Sequence, residues 1–330
     1  ATNFVDGFLL QPSSDGSAPT TGTLSTATGN VGIGHDVFKD LTEGDYNVSF
    51  GYGTSENVTT GYQNVHIGYQ AGQAMNTGAK NVFIGSQAGY SDPNGILGVA
   101  IGYRACFTGG LNYGVAVGGE ANYSAGSNVT AVGYRAHKSH TGTFNVAIGR
   151  EALDASGSGG YNVAIGGRHA LGALTSGARN IGIGYQAGDG ATTESDNIAI
   201  GYDALGGAVA GGEFNVAIGN YAGDALTSAD NSVIIGHNAG SAVTTGSENI
   251  MVGFQAGFGI STGESNVFIG QSTGLSGGSA ETGNVGIGHL AMSSIANADY
   301  NVGVGYKSGR YVKGQYNVYL GFESGVAVSN

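Results

Sequence analysis

The stretch NVAIG at residues 145–149 returns unchanged at 162–166 and 215–219, and looser copies such as NVFIG at 81–85 lie around it. Counted with its close variants, the phrase occurs eighteen times from Asn30 onward, at intervals of 15 to 18 residues and most often 17. A fixed short period indicates a repeat protein in which each repeat is one structural unit.

Each copy of the phrase predicts a short β-strand that ends at a glycine corner. The second and fourth residues, such as Val146 and Ile148, are β-branched, and a spacing of two places both on one face of a strand. We expect this face to form the core and the third residue, here Ala147, to point outward. Gly149 then permits a backbone conformation, or a close backbone approach, that other residues do not, so the chain turns there.

The rest of the repeat predicts a second wall and a return turn. Alanine recurs at the eighth position and a larger aliphatic residue at the twelfth, which predicts a second short strand, and sequences such as Thr244-Thr245-Gly246 predict the next turn. Seventeen residues are too few for a strand–helix–strand unit but suffice for one coil of a solenoid. We predict an all-β protein, a parallel β-solenoid of about 18 coils over residues 30–330 with a 17-residue repeat.

Composition and charge exclude several classes of protein. The chain has 65 glycines in 330 residues but only three prolines and no three-residue period, which excludes collagen. It carries 11 basic and 23 acidic residues, a net charge of −12, so the attraction that drives binding to nucleic acid is missing. No apolar run is long enough to span a bilayer, and we predict no nucleic-acid partner and no membrane insertion.

Motifs that carry chemistry fail on spacing or are absent. The glycines around Gly182 and Gly303 suggest nucleotide loops, but their spacing fits neither a dinucleotide nor a phosphate loop. We expect His137 and His140 to be a solvated loop pair, since no third ligand stands nearby. Cys106, the single cysteine, is expected to be a small buried residue. We therefore predict no enzyme, no catalytic residue, no cofactor and no metal.

Asparagine opens fourteen of the eighteen copies; Gly98, Gly114, Val129 and Ser232 are the exceptions. Stacked asparagines hydrogen-bond amide to amide in cross-β structures, so a ladder explains the repeated position without a ligand. The alternative is a column of amides that binds a polar ligand.

Aromatic residues recur directly after the corner glycine. Because the position repeats, we expect the rings to lie above one another along the solenoid. They form either a stacking ladder that stiffens the corner or a strip that recognises carbohydrate or protein, since Tyr joins apolar area to a polar tip. The tyrosines of this set are Tyr52, Tyr69, Tyr103, Tyr134, Tyr185, Tyr202 and Tyr306.

Three features of the sequence are candidate contacts with other copies of the chain. Large third-position residues in adjacent coils predict outward apolar patches. Residues 1–29 precede the repeat and form either a cap on the first coil or a strand added to a neighbouring copy. The last coil is expected to present an uncovered edge. The candidate residues are Phe4, Phe8, Leu9, Leu10, Phe83, Ile234, Met251, Phe268, Val326 and Val328.

The stretch Asn231-Ser-Val-Ile-Ile-Gly236 and the NVAIG copies resemble the repeat of YadA-like heads of trimeric autotransporter adhesins, and similar repeats of phage tail fibres. The resemblance covers about residues 30–325, although the repeat here is longer than that of the family. It implies a left-handed parallel β-roll, an extracellular, cell-surface or virion-surface location, and a binding or structural role without catalysis.

The expected function is that of a non-catalytic extracellular structural or adhesive fibre protein. Its solenoid rod assembles with other copies end to end or laterally, and its further partner is a host-surface glycan or protein. One alternative is a receptor-binding segment of a phage tail fibre. Another is an ice-binding solenoid, which the Thr and Ser residues beside the second turn suggest.

Overall fold

The computed structural model describes residues 6–11, 26–124, 126–207, 211–276 and 280–326. The chain divides into two compact units, Ala1–Tyr161 and Asn162–Asn330. In both, the described residues form short parallel β-strands joined by turns, and they contain no helix. The predicted all-β parallel solenoid with a 17-residue repeat is confirmed.

Every strand in the described residues is three residues long. The strands of the first unit are β1 Phe8–Leu10, β2 Val31–Ile33, β3 Val48–Phe50, β4 Val65–Ile67, β5 Val82–Ile84, β6 Val99–Ile101, β7 Val115–Val117, β8 Thr130–Val132 and β9 Val146–Ile148. Those of the second unit are β10 Val163–Ile165, β11 Ile181–Ile183, β12 Ile198–Ile200, β13 Val216–Ile218, β14 Val233–Ile235, β15 Ile250–Val252, β16 Val267–Ile269, β17 Val285–Ile287, β18 Val302–Val304 and β19 Val318–Leu320.

Successive strands within a unit pair in parallel and in register, so like positions of the repeat lie above one another. Between β4 and β5, for example, Val65 lies beside Val82 and Ile67 beside Ile84. The amide of Gly85 also donates to the carbonyl of Ile67 in the preceding coil, at 2.7 Å. Equivalent positions of successive coils therefore form continuous rows of side chains, and these rows make up the surfaces of each unit.

Between one strand and the next the chain runs through turns, and the prediction of a second short strand is wrong. Its place is taken by residues with left-handed backbone, such as Gln70 (φ 53°) and Gln87 (φ 58°) at the seventh position. The turns still bond from coil to coil; the amide of Gln87 donates to the carbonyl of Tyr69 at 2.8 Å. The interior residues of this segment are buried as predicted, Ala88 at the eighth position and Leu226 at the twelfth.

The two faces of the strands are the reverse of those predicted. Ala147 is fully buried, whereas Val146 is partly exposed and Ile148 is 37% exposed. The same pattern recurs in the other coils, so the expectation that the second and fourth residues form the core is wrong. The coil is narrow, and its third, eighth and ninth residues share the interior, where small side chains fit. The β-branched residues cover the outside of the strands instead.

In most coils the third and ninth positions exchange size, so that a large residue at one is accompanied by a small residue at the other. Phe83 lies against Gly89, where an added Cβ would overlap its ring, while Ala147 is accompanied by Leu153, which is fully buried. Close packing leaves no room for two large residues and tolerates few voids. Further pairs in which one partner is Gly are Gly32 and Phe38, His66 and Gly72, Met251 and Gly257, and Phe268 and Gly274.

The first strand lies outside the repeat and pairs with β2 of the same chain. Phe8 lies beside Val31 and Leu10 beside Ile33, and the amide of Phe8 donates to the carbonyl of Asn30 at 2.8 Å. This part of the 1–29 segment thus occupies the position of a cap on the first coil. Addition of a strand to a neighbouring copy stays a prediction.

Candidate functional site

The outward side chains of the strands form one apolar surface in each unit, which we call the outer sheet face. In the second unit it consists of the first and third residues of β10 to β19, all of which are Val, Ile or Leu. In the first unit the corresponding residues of β2 to β9 are Val or Ile except for Phe50 and Thr130. Ile101 is 37% exposed and Ile250 is 39% exposed. Each unit therefore presents two uncharged rows of apolar side chains to its surroundings.

The prediction that large third-position residues contact another copy is wrong for Phe83, Ile234, Met251 and Phe268. None of the four has any exposed area, because the third position faces the interior. The remaining candidates are placed as follows: Phe8 and Leu10 are 54% and 53% exposed, Leu9 and Val326 are partly buried, and Phe4 and Val328 lie outside the described residues.

The seven tyrosines that follow the corner glycine, which we call the aromatic column, are all 37% to 52% exposed. Tyr52 stacks on Tyr69 with ring centroids 5.7 Å apart, and in the second unit Tyr185 stacks on Tyr202 at 5.1 Å. These pairs thus form the stacking ladder that was one of the two predicted alternatives. Tyr103 and Tyr134 behave differently, since neither stacks on another ring among the described residues.

Further stacked rings were not predicted from the sequence. Tyr90, Phe107 and Tyr123 stack in series at 5.0 and 5.1 Å, and Phe144 stacks on Tyr161 at 5.0 Å. The first three occupy the tenth position of their coils and the last two the final position before Asn. Their recurrence at fixed positions of the repeat is therefore the sequence signal from which these stacks could have been predicted.

The asparagines form the predicted ladder. Asn47 Nδ2 donates to Asn30 Oδ1 at 3.0 Å and to the carbonyl of Gly61 at 2.8 Å, which ties the end of the coil to its start. Asn47 Oδ1 accepts from the backbone amide and the Nδ2 of Asn64, both at 3.0 Å. All three asparagines are buried. The ladder is confirmed, and burial of these three asparagines leaves them no surface on which a polar ligand could bind.

His137 and His140 are fully buried, and the prediction of a solvated pair is wrong. They occupy the ninth and twelfth positions of their coil, both of which face the interior. His137 Nδ1 lies 2.9 Å from Asn122 Oδ1 and Nε2 lies 3.1 Å from Asn145 Nδ2, which places the proton of a neutral ring on Nδ1. Burial lowers the pKa of His137 to about 3 and also lowers that of His140.

A third buried histidine bonds to two serines. His66 Nδ1 lies 2.6 Å from Ser55 Oγ, which lies 2.6 Å from Ser49 Oγ, and the His66 ring stacks on Phe83 at 5.0 Å. Burial lowers the pKa of His66 to about 3. A hydroxyl beside an imidazole suggests a nucleophile and its base. None of the three polar residues has exposed area, so no substrate reaches them.

Burial of His66 predicts a loss of stability in acid. Its folded pKa of about 3 lies below the unfolded value of about 6.5, so the stability due to the neutral ring is present above pH 6.5 and is lost as pH falls toward 3. Between pH 6.5 and 5 the loss is about 1.5 kcal/mol. We expect His66→Phe, which imitates Phe83 in the next coil, to reduce the pH dependence of urea unfolding by that amount.

His237→Phe is the matched control for the acid effect, since His237 is exposed. Burial raises the pKa of Asp92, which acts in the opposite direction, but Asp92 is common to all three proteins and cancels in the comparison. An equal pH dependence in the wild type and His66→Phe would show that His66 is not buried as a neutral group.

Cys106 is a small buried residue, as predicted. Its Sγ lies 3.1 Å from the carbonyl oxygen of Gly109. Burial raises the pKa of the thiol, and the nearby Asp92 carboxyl raises it further. Because the thiolate is the reactive form, Cys106 is not suited to nucleophilic chemistry.

The threonines beside the second turn bind to the next coil. Thr227 Oγ1 donates to the carbonyl of Thr244 at 3.0 Å, and Thr244 Oγ1 donates to the carbonyl of Ser261 at 3.2 Å. These hydroxyls therefore take part in coil stacking.

Within the described ranges, no group of three or more His, Cys, Asp or Glu side chains is placed to hold a metal ion. That part of the chain also lacks any helix with the length and apolar character needed to cross a membrane. No protein-family model matches the sequence, and no curated protein matches it.

Proposed function

We propose that this chain is a non-catalytic structural and adhesive fibre protein of the extracellular, cell or virion surface, whose copies associate laterally through the outer sheet face. The outer sheet face is the observation that carries the proposal. In the second unit it spans nine coil steps of about 4.8 Å and a strand length of about 10 Å, an area of roughly 400 Å². A continuous apolar patch of that size is often functional on a folded chain.

A second copy of the same chain suits this face better than an unrelated partner does. The two rows of side chains repeat at every coil, and only a surface with the same period can match them along their length. No ionisable residue occupies the outward positions of the described strands, so contact leaves no charge without water. Val and Ile are also stiff at χ1, which lowers the entropy lost when the face is covered.

The adhesive part of the proposal has separate support. The aromatic column presents Tyr side chains that combine apolar area with a hydroxyl, the residue type favoured in recognition surfaces. The resemblance of the repeat to YadA-like heads and to phage tail fibres favours a surface location. End-to-end association remains a prediction from the sequence.

Lateral association is tested by placing charge on the outer sheet face. We expect wild-type protein to form an oligomer in light scattering at micromolar concentration, and Ile218→Lys with Ile235→Lys to reduce it to a monomer. An ammonium group buried in an apolar contact costs several kcal/mol. The matched control is Ser228→Lys with Thr245→Lys, which adds the same charge to exposed turns of the same two coils.

The control should keep the wild-type mass, and circular dichroism should show that all variants are folded. A monomeric wild-type protein would contradict the proposal, as would an oligomer that persists in the variant of Ile218 and Ile235.

A further inference from the structure

Basic residues outnumber acidic ones in one long stretch of the first unit of this acidic chain. Residues 98–161 contain four of its eleven basic residues, Arg104, Arg135, Lys138 and Arg150, and only three of its 23 acidic ones. This segment is therefore net positive in a chain whose total charge is −12. Each of the four cations lies over an aromatic ring, and we call these side chains and their rings the cationic patch.

Arg104 places its guanidinium between two rings. Its central carbon lies 5.2 Å from the ring centroid of Tyr103 and 4.8 Å from that of Phe107. Its Nε donates to Gln87 Oε1 at 2.9 Å. Among the described residues no carboxylate pairs with it, so the two terminal amino groups are available to an external acceptor.

The neighbouring cations share one carboxylate. Glu120 Oε2 accepts from Arg135 Nε at 3.0 Å and from Lys138 Nζ at 2.8 Å. The hydrogen bond from Lys138 is the main cause that holds the pKa of Glu120 below its usual range. The Arg135 guanidinium lies 5.0 Å from the ring centroid of Tyr134, and Lys138 Nζ lies 5.8 Å from that of Tyr123. Two cations against one carboxylate leave a positive charge beside exposed rings.

Tyr103 and Tyr134 are the tyrosines of the aromatic column that stack on no other ring in the described residues. They lie two coil steps apart, roughly 10 Å, because Gly119 occupies the intervening position and Ser86 precedes Tyr103. They are 52% and 45% exposed. The break in the column thus leaves both rings without a stacked aromatic neighbour, next to Arg104 and Arg135.

We propose that the cationic patch binds a carboxylated saccharide, with a sugar ring against Tyr103 and its carboxylate on Arg104. Guanidinium is the group best suited to grip a carboxylate through two hydrogen bonds, and an aromatic face accepts the apolar C–H face of a sugar. The gap between Tyr103 and Tyr134 is about the length of a disaccharide. This inference rests on the proposed adhesive function and gives the chemical class of its ligand.

A saccharide with widely spaced carboxylates suits the patch better than a densely charged polyanion. Glu120 and Glu151 lie within the patch, and Arg150 is paired with Glu151 at 3.4 Å. These carboxylates repel closely spaced phosphates or sulfates, and four cations are few for a polyanion-binding groove. The patch therefore combines aromatic area with a guanidinium that has no carboxylate partner among the described residues, which indicates recognition of single carboxylates.

The test measures binding of hyaluronan hexasaccharide by calorimetry to the full chain. The variants are Arg104→Gln and Tyr103→Ser, which reproduce the residues Gln87 and Ser86 of the preceding coil and so preserve the local fold. We expect each to weaken binding at least tenfold, and reduction of the probe's carboxyl groups to do the same. Matched controls are Arg179→Gln, an exposed arginine paired with Asp196, and Tyr316→Ser, an exposed tyrosine outside the aromatic column; both should bind within twofold of wild type.

Absence of binding by the wild type, or full binding by Arg104→Gln, would overturn the proposal. Equal losses in Arg104→Gln and Arg179→Gln, or tighter binding of heparin hexasaccharide that both substitutions weaken alike, would show attraction by net charge only and would also overturn it. Light scattering on the same samples separates the saccharide site from lateral association. Oligomers that persist in a protein that does not bind the saccharide would remove the glycan site and leave lateral association standing.

Discussion

Gly68→Ala should destabilise the first unit by more than about 4 kcal/mol, a large share of the stability of a typical domain. Gly68 has φ 130°, and a methyl group there would lie 2.6 Å from the carbonyl oxygen of Gly85 and 2.7 Å from its carbonyl carbon. The obstacle is backbone of the next coil, which cannot turn aside as a side chain can. Because coils bond through this corner, the clash breaks stacking as well as straining one residue.

Urea unfolding followed by circular dichroism measures the effect, and Gly167→Ala is its control. Gly167 is exposed, and an added methyl group would have no atom within 4 Å. We expect the control to change the free energy of unfolding by less than about 0.5 kcal/mol. If both variants unfolded at the same urea concentration, the coils would not be stacked through their corner glycines.

The solenoid architecture could be predicted because the coils stack, so every repeat carries the same information about the fold. One NVAIG phrase is compatible with many folds. Eighteen copies at nearly constant spacing require a structure in which equivalent residues of successive repeats lie above one another. The asparagine ladder followed from the same rule, since Asn30, Asn47 and Asn64 are brought into hydrogen-bond distance by the repeat itself. These features depend only on period, which the sequence displays directly.

The direction of the strand faces did not follow from period. A spacing of two shows that Val146 and Ile148 share a face, but it does not show which face is inside. The missing information was in the pairing of sizes, because Phe83 comes with Gly89 and Ala147 with Leu153. Two positions vary in this way, one large where the other is small, only when their side chains fill the same confined space. If the third residue pointed outward, its size would not depend on the size of the ninth residue.

The turns and the polar interior were less accessible to prediction for a different reason. Residues such as Gln87 and Tyr161 adopt positive φ without being Gly or Asn, so no local preference reveals them. Burial of His137 followed from its ninth position, which was understood only once the inward positions were known. The cationic patch also joins residues from the sixth, seventh and tenth positions of neighbouring coils. Its members come together only when the coils are closed.

Ala100→Asp and Ile101→Asp should separate the two assignments of the strand faces most sharply. Ala100 is fully buried beside Phe83 in the neighbouring coil, and Ile101, the next residue of β6, is 37% exposed. A carboxylate at residue 100 has neither water nor a partner, so we expect a loss of more than about 4 kcal/mol or a protein that does not fold. A carboxylate at residue 101 reaches solvent, and we expect a loss of about 1 kcal/mol.

Urea unfolding of the two variants measures this contrast, and light scattering adds a second readout. Ile101→Asp should remain folded yet weaken lateral association, since it places charge on the outer sheet face. The opposite order of stability, with residue 101 the more sensitive, would restore the arrangement in which Val and Ile form the core. It would also remove the apolar surface on which self-association depends. The pair of substitutions therefore tests the fold and the proposed assembly at adjacent residues of a single strand.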